Sequence, residues 1–353
     1  MNNVIAFTGG ARRVPTDSRA TLLSCFAQSR RDLADVFWMK ENAELLGILV
    51  ALGKPVDAAA LAPFEHFYDR IEERLAFYPQ YYRFLLSLCL DLESLGMGGD
   101  KGERLCHWVA RRGFAEAELS DLQRAEARRL LARRQASAAV DDGPLGRRLH
   151  RFINRKDTFA MPNKKAAYEL THIVFYLSEY GQRDPEIGQN ALTSLEFAGV
   201  LAFLDQNMDL LAEICLALHY AGVVPSPIWI DAISAYHGAI TARPAEMPVP
   251  LDDYHQFFVS GWAAATFGRE AFDRPLPEGG LRFAAPRLLA GALKPISTCL
   301  SELGASRSAD WRRMRGQVLS YLGPENHEVL VEAEQSTDKF EAFFEGFARA
   351  ARA

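Results

Sequence analysis

Tyr168, His172, Phe175, Tyr176 and Glu179 fall at i, i+4, i+7, i+8 and i+11, a spacing that a 3.6-residue helix gathers into one stripe. The stripe is polar where a buried helix face is ordinarily aliphatic. Burying an imidazole, two phenols and a carboxylate costs free energy unless each finds a hydrogen-bond partner. The stripe therefore reads as the lining of a cavity or as a hydrogen-bonded network. The plainer alternative makes Tyr168 and Tyr176 core residues with surface hydroxyls, and His172 a structural histidine satisfied by Thr171 or a neighbouring turn. A later helical segment, DLLAEICLALHY, opens with Asp209 and carries Glu213 one turn on. If both helices face one interior, they supply an imidazole and three carboxylates, and crowded like charges push one carboxyl pKa upward, which suits general acid–base work. His172, Glu179 and Tyr176 are then the candidate catalytic groups, with Tyr168, Thr171, Phe175, Asp209 and Glu213 as candidate ligand contacts. Against this, Asp209 is also a favourable first-turn acid, and Glu213 could pair with a basic neighbour.

Other chemistries find less support. There is no GxSxG elbow, and Cys215 lies in an apolar run away from any base. The glycine-rich GMGGDKGE after Leu95 lacks the order of a phosphate loop and a preceding strand, so no nucleotide cofactor is expected. No HxxxH, HExxH or paired Cys/His occurs, and DDY at Asp252 has no aspartate-rich partner, so no metal is expected either.

The elements that must position these groups are helical. Apolar runs ending in glycine recur as LLGILVALG, LSLCLDLESLG, VFYLSEYG and LALHYAG; Gly53 to Gly96 spans 43 residues and Gly181 to Gly222 spans 41. A period near forty with two helices per unit is the signature of stacked helical hairpins, either an α/α toroid or a curved helical-repeat array. Strand signals are confined to VIAF at the start and HEVLVEA near the end, so the fold class is all-α. Residues 1–15 read as a loose N-terminal segment, 16–135 as N-terminal hairpins, 136–162 as a linker or lid centred on ASAAVDDGP, and 163–353 as a C-terminal helical-pair region continuing one array. The proline-rich TARPAEMPVPLDD and the stretch DRPLPEGGLRFAAP read as irregular.

The string YELTHIVFYLSEYG, followed by a proline and by helices of the DLLAEICLALHYAG kind, resembles a motif of uncharacterised bacterial families of α/α-toroid type. Thr171, His172, Phe175, Tyr176, Glu179, Tyr180 and Gly181 are the matching positions, and Asp209 and Glu213 match the acidic start of the later helix. The chain departs from the pattern with Ser178-Glu179 before Tyr180, where Thr-Asp is expected. The resemblance covers about sixty residues and implies a fold and a site rather than an activity.

Composition sets the bounds. A chain of 353 residues with 49% hydrophobic content fills a globular core unaided. The net charge of −5 gives no global attraction to nucleic acid or anionic membrane. The five dispersed cysteines read as buried hydrophobes in a reducing compartment. With no signal-peptide order and no apolar run of about twenty residues, the expected address is the cytoplasm. Residues 124–156 hold ten Arg or Lys against three acids, a local net of +7. Their spacing reads as a solvated helix face, with anion or nucleic-acid binding as the lesser reading. Phe340, Phe343, Phe344 and Phe347 form an apolar stripe on a terminal helix, which docks on its own domain or, less favoured, on a protein partner or a second copy. The leading expectation is thus a pocketed helical enzyme or binding protein, acting on a small molecule or peptide by acid–base chemistry around His172. A helical-repeat interaction module is the alternative.

Overall fold

The computed structural model describes residues 18–136, 143–288 and 291–350. The loose segment 1–15, its VIAF run and most of the ASAAVDDGP centre lie outside the described residues. The first half comprises α1 (Ser18–Ser24), a π-turn (Cys25–Ser29), α2 (Val36–Ala51), the short α3 (Ala58–Leu61), α4 (Glu65–Asp69) and α5 (Ile71–Phe77), then α6 (Tyr82–Ser94), α7 (Lys101–Arg111) and α8 (Asp121–Ala132). The stretch read as a linker or lid carries α9 (Gly143–Ile153) and α10 (Lys156–Phe159). The second half follows with α11 (Lys164–Leu177), α12 (Gln189–Leu204), α13 (Met208–Tyr220), α14 (Pro227–Ala239), α15 (Tyr254–Thr266), α16 (Leu293–Leu303), α17 (Trp311–Tyr321), α18 (Pro324–Gln335) and α19 (Phe340–Ala348).

The fold is all-α apart from one short ribbon. β1 (Thr241–Pro244) pairs antiparallel with β2 (Leu281–Ala284), Thr241 opposite Ala284 and Pro244 opposite Leu281. Both strands fall in stretches read as irregular, and the strand-like HEVLVEA is instead part of α18. The ribbon is held from outside. Asp252 Oδ2 accepts the Phe283 N–H at 2.8 Å and Asp253 Oδ2 the Ala285 N–H at 2.8 Å, so these acids serve the strand rather than cap α15. In α18 the buried positions are Leu330 and Ala333, i and i+3, a helical interval that outweighs the alternation of the string.

Six helices pack in succession: α2 on α6, α6 on α8, α8 on α11, α11 on α13, α13 on α15, and α15 back on α2. Side-chain caps start four of them: Asp35 accepts from Phe37 N, Ser120 from Gln123 N, Asn163 from Ala166 N and Asn207 from Leu210 N. α13 is flanked by α11, α12, α14 and α15, which explains its nearly unbroken apolar run: Leu210 to Leu218 is buried throughout. Glu213 is the one carboxylate inside that run.

One surface expectation changes and one is met. The arginines at 124, 128, 129 and 133 are not a solvated face: their side chains are 26%, 15%, 11% and 17% exposed and each pairs with an acid. α8 sits between α6 and α11, and the partners are Asp121 within α8, Glu116 before it, Glu179 just after α11 and Asp91 on α6. The phenylalanine stripe of α19 is covered by this chain, with Phe343 against Phe197 and Phe340 and Phe344 against Trp311. All four rings are buried, so they offer no anchor to a partner or a second copy. All five cysteines are buried and free. No helix among the described residues is long and apolar enough to cross a membrane.

Candidate functional site

A cleft of about 590 Å³ opens among the six successive helices, and each of them contributes to its wall. Glu44 and Gly47 come from α2, Ser87 and Asp91 from α6, Glu126 and Arg129 from α8, His172 and Tyr176 from α11, Asp209 and Glu213 from α13, and His255 and Trp262 from α15. Of the residues singled out from sequence, Tyr168, His172, Phe175, Tyr176, Glu179, Asp209 and Glu213 all line it. Thr171 does not; it is fully buried behind the wall.

His172 Nδ1 lies 2.8 Å from the Tyr168 carbonyl oxygen. A carbonyl can only accept, so in the neutral ring Nδ1 carries the proton and Nε2 keeps its lone pair. The side chain is 36% exposed, with its edge on Tyr176 (centroids 6.1 Å apart, planes at 82°). Glu213 Oε2 accepts a 2.5 Å hydrogen bond from Thr171 and lies 3.5 Å from His172 Nδ1. Burial raises the Glu213 carboxyl above its ordinary range; His172 and Thr171 pull it down, and Asp209 pushes it up.

Asp209 behaves oppositely. Burial pushes its carboxyl up, but the hydrogen bond and charge of His255, the Tyr168 hydroxyl and His172 more than offset this and hold it low. Its Oδ2 accepts a 2.6 Å hydrogen bond from Tyr168, and its Oδ1 is 3.3 Å from His255 Nε2. His255 bridges two carboxylates, with Nδ1 2.6 Å from Glu44 Oε1. Burial disfavours its charge, yet Asp209 and Glu44 together raise its pKa to about 11, so without another cation the ring is an imidazolium. One oxygen or nitrogen from each of Asp209, Glu213 and His255 lies within 4.8 Å of the others, a set that can hold a metal ion.

Another part of the wall is basic and aromatic. Arg129 lies over the rings of Tyr180 and Tyr176, 4.9 and 5.6 Å from their centroids, and reaches Glu179 Oε2 at 3.3 Å. Glu179 is therefore an ion-pair partner of Arg129, held there by a turn in which Glu179, Tyr180 and Gly181 all have positive φ, 48°, 54° and 87°. Such strain in two non-glycine residues persists only where the surroundings fix it. Here Tyr180 stacks on Phe175 at 5.7 Å. Burial raises the Tyr176 hydroxyl well above the usual phenol range, so it stays a neutral donor.

His255, Glu44 and Arg129 are the groups that sequence reasoning missed. His255 and Glu44 sit on helices far from the histidine stripe in sequence, and no motif spacing links them to Asp209 or Glu213. The legible signal was the i, i+4 pair Asp209 and Glu213 in an otherwise apolar helix. For Arg129, the arginine-rich periodicity of α8 resembled a surface.

Fold and site together define an all-α protein with an acidic, histidine-bearing cleft that Arg129 also lines. The chain belongs to the family described as a domain of unknown function (DUF6902), whose model matches residues 1–350. No curated protein and no solved structure matches it.

Proposed function

We propose that this protein is an α-helical enzyme of the α/α-toroid kind, in which the six successive helices form the inner layer and the cleft on their axis takes up a small molecule. His172 acts through Nε2 as the general base. One observation carries this reading: the Tyr168 carbonyl fixes the ring's proton at Nδ1, 2.8 Å away, while the ring itself opens on the cleft. A positioned lone pair in a walled cavity is what general-base catalysis requires. Tyr176 offers a neutral hydrogen-bond donor beside it. The cleft of about 590 Å³ falls in the range of about 300–1,000 Å³ typical of small-molecule sites, which supports a small molecule over a folded partner. The arginines of segment 124–156 that line the cleft are paired with acids, which argues for a place in this site over a nucleic-acid surface.

The test is to incubate the full chain with a metabolite extract and follow compounds by mass spectrometry, beside the His172→Gln variant. The wild type should consume a compound that the variant, with unchanged melting temperature, consumes at least about 100-fold more slowly. Equal turnover by the variant, or nothing consumed by the wild type, would overturn the reading.

A further inference from the structure

Asp209, Glu213 and His255 share a feature that an ordinary ion-pair network does not need. Each presents one donor atom to the others and has a different atom pinned by a neighbouring group. Tyr168 donates to Asp209 Oδ2, while the buried Asp209 Oδ1 meets only His255 Nε2, 3.3 Å away. Thr171 donates to Glu213 Oε2, leaving Oε1 with no protein hydrogen bond among the described residues, although the side chain is only 5% exposed. Glu44 holds His255 Nδ1 at 2.6 Å, which turns Nε2 toward Asp209 Oδ1. A carboxylate on the far nitrogen of a histidine, and hydroxyls on the far oxygens of carboxylates, are the usual outer partners of metal ligands.

We propose that Asp209, Glu213 and His255 bind one divalent transition-metal ion in the cleft, beside His172. One donor atom from each of the three residues lies within 4.8 Å of the others. Ligand bonds of about 2.0–2.2 Å place donors on one ion no more than about twice that distance apart, so small rotamer adjustments suffice. Two carboxylates and one imidazole select an ion that accepts both oxygen and nitrogen, Mn2+, Fe2+ or Zn2+, ahead of Mg2+ or Ca2+. His255 coordinates through Nε2 and gives that proton to solvent, so the ion replaces a proton between the same carboxylates. Three protein ligands leave positions open toward the cleft for water or substrate. This deepens the proposed function, because a metal there would act on the substrate that His172 deprotonates, yet the site does not depend on His172.

The experiment uses the full chain stripped with EDTA and dialysed against Mn2+, with metal content read by mass spectrometry and the bound ion by pulsed electron paramagnetic resonance. The wild type should hold one Mn2+ per chain and show coupling to one imidazole nitrogen. Asp209→Asn should abolish stoichiometric binding, and Glu44→Gln should weaken it about 10–100-fold. His172→Gln should bind like the wild type even where it loses turnover, which separates this inference from the proposed function. The inference is overturned by no stoichiometric Mn2+ in the wild type, by bound Mn2+ without nitrogen coupling, or by wild-type affinity in Asp209→Asn.

Discussion

Tyr168 on α11 donates a 2.6 Å hydrogen bond to Asp209 on α13, joining the helix that carries His172 to the helix that carries Glu213. The same tyrosine's carbonyl accepts from His172 Nδ1, so one residue sets both the orientation of the imidazole and the pairing of a buried acid.

Tyr168→Phe keeps the ring and removes that donor. A hydrogen bond to a charged group contributes about 1.5–3 kcal/mol, and Asp209 is only 12% exposed, so little water can replace it. Urea unfolding of the metal-free protein should show a loss within that range, with the m-value unchanged.

A second buried network closes the circuit away from the cleft. Arg30 is fully buried between Glu41 at 3.1 Å and Asp252 at 2.9 Å, and it donates to the Leu281 carbonyl of β2. Asp252→Ala leaves a buried guanidinium short of one carboxylate and β2 short of an acceptor. Removing one partner of such a pair costs about 3–5 kcal/mol, read by denaturant unfolding. Hydrogen exchange at the Phe283 amide should speed up in the same variant.

These two networks show what the sequence could and could not convey. The polar stripe of α11 and the i, i+4 acids of α13 were legible because helical periodicity is local, and both helices bring those residues to one cleft. The partners of those acids were not legible. His255 and Glu44 come from α15 and α2, helices that meet only when the chain closes on itself, and Arg30 finds Asp252 more than two hundred residues away. The ribbon escaped notice because Pro244 lies in β1; proline is tolerated in a two-stranded ribbon, where every strand is an edge. The arginines of α8 misled for the opposite reason. Their spacing is that of a surface face, and only the acids on α6 and the turn after α11 convert them into a wall of the site.

His237 is 2% exposed, with Nε2 3.2 Å from the Ala271 carbonyl. Burial lowers its pKa from 6.5 to about 4. The unfolded chain therefore takes up this proton first, and stability fully present above pH 6.5 is lost as the pH falls toward 4. The shift corresponds to about 3 kcal/mol. Unfolding free energies of wild type and His237→Phe between pH 7.5 and about 4 should show a pH-dependent difference of that order, with the wild type losing the more.

Gly181 ends the helix of the polar stripe with φ 87°, and a Cβ there would lie 2.5 Å from the Tyr220 ring. Gly181→Ala combines an unfavourable backbone with overpacking, each costing on the order of 1–3 kcal/mol. Thermal unfolding should report the loss. Because Tyr220 touches Phe175 and Trp262 in the cleft wall, near-ultraviolet dichroism of the folded variant should change too.

The central claim is that His172 presents an unprotonated Nε2 to the cleft, and long-range nitrogen–proton NMR of the histidine-labelled protein tests it most directly. With the ring neutral, the account predicts the Nδ1–H tautomer, its proton held on the Tyr168 carbonyl. An Nε2–H tautomer would contradict it, since the cleft would then meet a donor where the proposed chemistry needs a base.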